Sequence, residues 1–128
     1  MAKATWVHAL VAFPGMGAWA LFANRAHGLA PALTAALVQG GLSATITVFL
    51  KRGLEAMHAR LSGPAAVLVP PLLACAVVLA VLLTAHRLAA TREIWATLAV
   101  PYGVPTTYGW IYTLSLTAAA RRRARGAT

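Results

Sequence analysis

Four polar side chains lie on one face of the second apolar stretch of this chain, residues 29–50, and at its end. Their spacing of four residues places them along one side of an α-helix: Gln39, Ser43, Thr47 and Lys51. Amide, hydroxyl and ammonium groups in such a row bind polar or phosphate-bearing molecules through hydrogen bonds and charge. The sequence therefore predicts a polar groove on this helix that ends at Lys51.

A second polar segment is expected at the same depth, in the last apolar stretch, where Pro105 precedes Thr106, Thr107 and Tyr108. Proline breakers and polar groups near the bilayer midplane are how secondary transporters form substrate sites. We therefore predict interrupted helices around a small polar cavity, whose substrate-binding candidates are Gln39, Ser43, Thr47, Thr106, Thr107 and Tyr108. The alternative is that these groups hold helices together, at ~0.6–2 kcal/mol each.

Basic residues follow both polar stretches. Lys51, Arg52 and Arg121 are candidates for contact with a phosphate or a lipid headgroup, because arginine binds phosphate bidentately and lysine as a point charge. The alternative interpretation of the same residues is anchoring on anionic lipid.

The elements that position these residues are predicted to be membrane-spanning helices. The chain has 128 residues, of which 60% are hydrophobic and 10% charged, against about 25% charged in ordinary soluble domains. A chain this short cannot bury so much apolar surface in water. The sequence predicts an all-α integral membrane protein with a single domain, residues 1–128. Its four spans are expected at about 4–23, 29–50, 64–85 and 94–119, followed by a basic tail, 120–128.

The connection between the second and third spans, residues 51–63, has apolar residues at helical spacing. It predicts an amphipathic helix lying at the membrane interface. Near the N-terminus, Lys3 and the small-x-small sequence at 18–20 are also typical of a secretory signal peptide. We favour a retained span, because this run is longer than a usual signal core and three more runs follow.

The distribution of lysine and arginine predicts the orientation. With four spans, eight of these cations fall on the side of the two termini and three on the other. The positive-inside rule then places both termini in the cytoplasm. The alanine- and arginine-rich composition is typical of a bacterial protein, so we expect the bacterial cytoplasmic (inner) membrane. Anionic lipids on the cytoplasmic side are the expected partners, together with a second copy of the chain or a larger membrane protein.

Several chemistries are not indicated. The two acidic residues, Glu55 and Glu93, lie outside the predicted spans on opposite sides of the membrane, which argues against an acid–base pair. The four histidines are expected at span ends or in loops. No protease, esterase or nucleotide-binding motif occurs, and Cys75 is the single cysteine. We expect no cofactor, no metal and no nucleic acid.

The predicted function is that of a carrier or flippase-like transporter of a lipid, a lipid-linked headgroup or a small molecule. The alternative is a non-catalytic accessory or assembly subunit of a larger membrane complex. A pore former or a membrane enzyme is the third class left open by the sequence.

Overall fold

A computed structural model describes residues 2–127 of the chain, with the side chains of residues 5–127. These residues form four long helices and no strand, which confirms the all-α prediction. The helices are α1 (Ala2–Asn24), α2 (Leu29–Arg60), α3 (Gly63–Leu88) and α4 (Ile94–Gly126). A 3₁₀ turn (Arg25–His27) follows α1. Thr128 of the predicted tail and the side chain of Lys3, one of the eight cations, lie outside the described residues.

Three of the four helices are long and apolar enough to cross a membrane: Thr5–His27, Leu29–Arg60 and Gly63–Leu88. The helix that contains the predicted fourth span, α4, is less apolar. It carries two prolines inside the helix together with threonine, tyrosine and glycine residues, none of which adds much hydropathy. Contact with lipid tails therefore does not explain why α4 carries these polar residues.

The interfacial helix expected between the second and third spans is not a separate element. Residues 51–60 continue α2, and the chain first leaves helical geometry at Leu61, which is extended. The physical reason is packing: Leu54 is fully buried in the bundle, and His58 hydrogen-bonds Thr117 of α4 at 3.0 Å. The apolar face of this segment thus covers protein.

The expected interruptions at prolines are also absent from the described helices. Pro14 lies inside α1, and Pro101 and Pro105 lie inside α4, which continues through both. Proline removes one backbone donor without ending a helix when neighbouring helices hold the segment in place. The polar groups are therefore presented by continuous helices and not by broken ones.

Consecutive helices run antiparallel and are joined by short turns, so the bundle has two distinct ends. We call the end with residues 25–28 and 89–93 the loop end, and the end with residues 61–62 and both termini the terminal end. Helices α1 and α2 pack tightly at Gly40, where an added Cβ would lie 2.8 Å from the carbonyl oxygen of Phe13. A small apolar core of Val78, Leu82 and Leu98 joins α3 to α4.

Candidate functional site: a cavity between α1, α2 and α4

A cavity of about 590 Å³ lies between α1, α2 and α4 in the terminal half of the bundle. Its walls are mostly apolar and include Val11, Ile46 and Val104. Polar groups are added by Thr5 and His8 of α1 and by a row of α2 residues, Ser43, Thr47 and Lys51. The cavity thus combines an apolar body with polar groups along one side.

The α4 wall of the cavity is one face of a helix. Pro101, Pro105, Tyr108 and Tyr112 line it at positions i, i+4, i+7 and i+11, which lie on the same side of an α-helix. The two tyrosine rings stack with their centroids 5.3 Å apart. Both prolines and two of the three tyrosines of α4, which lower its hydropathy, therefore face the cavity.

Charged and aromatic groups meet at the terminal end of this cavity. The Tyr112 hydroxyl donates a hydrogen bond to Glu55 Oε1 at 2.5 Å. Lys51 Nζ lies 4.0 Å from the same carboxylate oxygen and 5.9 Å from the centroid of the Tyr112 ring. An ammonium and a carboxylate therefore flank one aromatic residue, and both charged side chains are partly exposed.

The structure brings together four of the residues singled out from the sequence. Ser43, Thr47, Lys51 and Tyr108 all line the cavity. The remaining predicted residues lie elsewhere. Gln39 sits behind Ser43 and bonds to it, and Arg52 is exposed and does not line this cavity.

Thr106 and Thr107 do not line this cavity. Each residue of a helix is turned by about 100° from the one before, so both point away from the face that carries Tyr108. Thr107 is exposed, whereas the Thr106 hydroxyl is buried with no hydrogen-bond partner among the described residues. The prediction placed all three together because they are adjacent in sequence.

Arg121 borders a second cavity, of about 640 Å³, at the terminal end. That cavity lies between the end of α2, the start of α3 and α4, and His58 and Thr117 also line it. Arg121 and Lys51 thus belong to different cavities. The three basic residues predicted to contact a phosphate or a headgroup therefore do not line one common cavity.

A buried chain of hydrogen bonds extends from the cavity toward the loop end. Gln39 Nε2 donates to Ser43 Oγ at 2.8 Å, and Gln39 Oε1 lies 2.8 Å from His86 Nε2. His86 Nδ1 lies 2.8 Å from Thr91 Oγ1. His86 lies at the end of a predicted span, as expected from the sequence, but its side chain is fully buried at the last turn of α3 and does not face the membrane interface.

A second polar cluster holds α1 against α4 at the loop end. The buried Asn24 side chain donates to Ala20 O and to Thr97 Oγ1, at 2.9 and 2.8 Å, and accepts from the backbone N–H of Glu93 at 3.1 Å. His27 Nε2 pairs with the Glu93 carboxylate at 2.8 Å. Asn24 therefore satisfies one of the free donors at the start of α4.

No group of three histidine, cysteine, aspartate or glutamate side chains within the described part of the chain is close enough to hold a metal ion. Comparison of the chain with protein-family models, with curated proteins and with solved structures returned no match. The cavity and its residues are therefore the basis on which a function is assigned.

Proposed function

We propose that all four helices cross a lipid bilayer and that the cavity between α1, α2 and α4 binds an amphiphile. The protein would then be a carrier or flippase-like transporter of a lipid, a lipid-linked headgroup or a small molecule. The observation that carries this proposal is the cavity itself. Its volume of about 590 Å³ lies within the ~300–1,000 Å³ typical of ligand sites, and its walls are apolar with a charged end.

The distribution of side chains on α4 supports a fourth span. Trp95, Ile111 and Leu114 are large, apolar and exposed on its outer surface, where lipid would cover them. Both of its prolines and two of its three tyrosines, which lower its hydropathy, line the cavity. Polar residues of a spanning helix are expected to face the bundle interior, and the fully buried Thr97 and Thr113 of α4 do so.

The charge distribution supports an orientation with both termini in the cytoplasm. Antiparallel order places both termini at one end, with eight of the eleven lysines and arginines of the sequence. Cations of short loops and tails stay on the cytoplasmic side of a membrane. The charged end of the cavity would then open toward the cytoplasmic leaflet, in which anionic lipids are the natural partners, and a bacterial inner membrane fits the composition.

A matched pair of substitutions tests this function. Thr47 lines the cavity, whereas Thr45, two residues away, is exposed and does not. The hydroxyls of Thr47 and Thr45 each donate to the carbonyl four residues back, at 2.7 and 2.8 Å, so each substitution removes one equivalent hydrogen bond. Thr47→Trp fills the cavity and Thr45→Trp adds the same ring to the outer surface.

The measurement is the rate at which a fluorescent phospholipid moves between leaflets of vesicles containing the purified full chain. We expect Thr47→Trp to lower that rate at least tenfold and Thr45→Trp to leave it within twofold. Equal rates in protein-free vesicles and in vesicles with the unmodified chain would overturn the proposal. Loss of activity in both variants would show that the cavity is not the path.

One observation favours the alternative of an accessory subunit. The last turns of α4, residues 118–126, are helical and exposed, and they carry four arginines. Exposed helical turns are marginally stable in water, so a partner surface would stabilise them. Under this alternative, purification in a gentle detergent yields one membrane protein at fixed stoichiometry, and replacing the four arginines with glutamine releases it.

A further inference from the structure

Gln39 lies in the middle of the hydrogen-bond chain behind the cavity, with its amide oxygen facing His86 and its amide nitrogen facing Ser43. The amide oxygen of Gln39 can only accept, so His86 Nε2, 2.8 Å away, carries the hydrogen and donates it. The amide nitrogen of Gln39 can only donate, so Ser43 Oγ is the acceptor of the next bond. The direction therefore runs from His86 through Gln39 to Ser43.

The charge of His86 does not alter this direction. In the neutral ring, Nδ1 accepts from the Thr91 hydroxyl, whereas in the charged ring Nδ1 donates to it. In both forms Nε2 keeps its hydrogen and holds Gln39 in the same orientation. Gln39 and His86 are 0% exposed and Ser43 is 8% exposed, so water does not compete for these bonds.

The hydroxyl hydrogen of Ser43 has no acceptor among the described residues. Other hydroxyls on α2 use theirs within the helix: Thr34, Thr45 and Thr47 each donate to the carbonyl four residues back. Ser43 makes no such bond, and its side chain lines the cavity. The hydrogen is therefore available to a ligand at the inner part of the cavity.

We propose that Ser43 is a specificity-determining residue that donates a hydrogen bond to an oxygen acceptor of the ligand, and that Gln39 positions it. The inference rests on the proposed function and names its ligand class as glycerophospholipids with ester-linked chains. Ser43 and Lys51 lie on one face of α2, two turns or about 12 Å apart. A glycerophospholipid carries its phosphate, its ester carbonyls and its apolar chains in that order. Bound in the cavity, it would place the phosphate near Lys51, an ester carbonyl near Ser43 and the chains along the apolar walls.

The test compares two phospholipids that have the same headgroup and chain length but carry ester or ether linkages. The purified full chain is reconstituted in vesicles with equal amounts of both and extracted in mild detergent, and the retained lipids are quantified by mass spectrometry. We expect the ester form to be retained about three- to tenfold over the ether form, because one hydrogen bond distinguishes them. Ser43→Ala should remove this preference and Ser43→Thr, which keeps the hydroxyl, should preserve it.

Gln39→Glu separates positioning from structural support. A carboxylate accepts at both oxygens, so Glu at this position would take the hydrogen of Ser43 away from the cavity. We expect this nearly isosteric variant to lose the ester preference although Ser43 is unchanged. An ester preference kept by Gln39→Glu would overturn the positioning role.

The outcomes for the unmodified chain separate this inference from the proposed function. Equal retention of the two lipids overturns the role of Ser43, while the difference between Thr47→Trp and Thr45→Trp still supports the cavity as a lipid path. Retention of neither lipid, together with no lipid movement in vesicles, overturns both. A clear ester preference supports both.

Discussion

The two ends of the bundle differ in how deeply their polar side chains are buried. At the loop end, Asn24, Thr97 and His86 are fully buried, and each of the three hydrogen-bonds a side chain of another helix. At the terminal end, two cavities separate the helices, and the Lys51–Glu55 pair is partly exposed. Buried, paired polar groups resist local opening, whereas exposed ones do not. The loop end is therefore the fixed part of the bundle, and the terminal end is the part that can open.

Among the substitutions that test this difference between the two ends, Asn24→Leu should have the largest effect on stability. The change removes three hydrogen bonds. It leaves the Glu93 N–H without its acceptor and the Thr97 oxygen, whose hydroxyl still donates to Glu93 O, without its donor on α1. We expect the free energy of unfolding to fall by about 2–4 kcal/mol, since a polar group left unpaired in the protein interior costs about 1–3 kcal/mol. Unfolding by sodium dodecyl sulfate in mixed micelles measures it. A cost smaller than that of Tyr112→Phe at the terminal end would contradict the contrast.

Gly40→Ala tests how tightly α1 is held on α2. An added Cβ would lie 2.8 Å from the Phe13 carbonyl oxygen, which is backbone and cannot rotate away. We expect a loss of about 1–3 kcal/mol from overpacking, measured in the same unfolding assay. Gly41→Ala is the matched control, because nothing lies within 4 Å of its added Cβ. Equal stabilities of the two variants would show that the contact is not tight.

Tyr112→Phe probes the terminal end. It removes the hydroxyl that donates to Glu55 and keeps the ring that stacks on Tyr108. The Glu55 side chain is 41% exposed, so water replaces the lost donor. We expect the free energy of unfolding to fall by less than about 1 kcal/mol. A loss comparable to that of Asn24→Leu would mean that the terminal end is held as firmly as the loop end.

Ala90→Gly should strengthen the loop end slightly. Ala90 follows α3 with φ +53°, a left-handed conformation that costs a residue with a Cβ about 1 kcal/mol. Its N–H donates to Arg87 O and the Thr91 N–H donates to His86 O, as in a Schellman motif. We expect a gain of about 0.5–1 kcal/mol. Ala89→Gly, at φ −77°, is the control and should give no gain.

The helices could be predicted from sequence because long apolar runs and short polar turns are local signals. Ser43, Thr47 and Lys51 were correctly placed on one face, since four-residue spacing fixes their direction around an α-helix. The same spacing along α4 places Tyr112 on the face of Tyr108 and places Thr106 and Thr107 on other sides of the helix. Grouping residues by their depth in the bilayer ignores this direction around the helix, which is why Thr106 and Thr107 are predicted at the cavity and lie outside it.

The partners of buried polar groups could not be predicted in this way. Gln39 and His86 are 47 residues apart, and Asn24 and Glu93 are 69 apart. Which helix faces lie opposite each other depends on packing, for example on the close approach that Gly40 permits. The second cavity likewise arises from where three helix ends meet, for which a single sequence has no periodic signal.

The unequal lengths of the helices have a consequence for the surrounding lipid. With 32 and 33 residues, α2 and α4 are about 50 Å long, well beyond the ~30 Å hydrocarbon core, and α1 and α3, with 23 and 26 residues, are shorter. At the terminal end, the last turns of α2 and α4 bear Arg60 and the arginines of residues 121–125. Screening acts over about 8 Å at physiological salt, so in the proposed bilayer orientation these arginines would enrich anionic lipids in the first shell around the protein. The composition of that shell would then vary with ionic strength, while a ligand deep in the cavity would be screened far less.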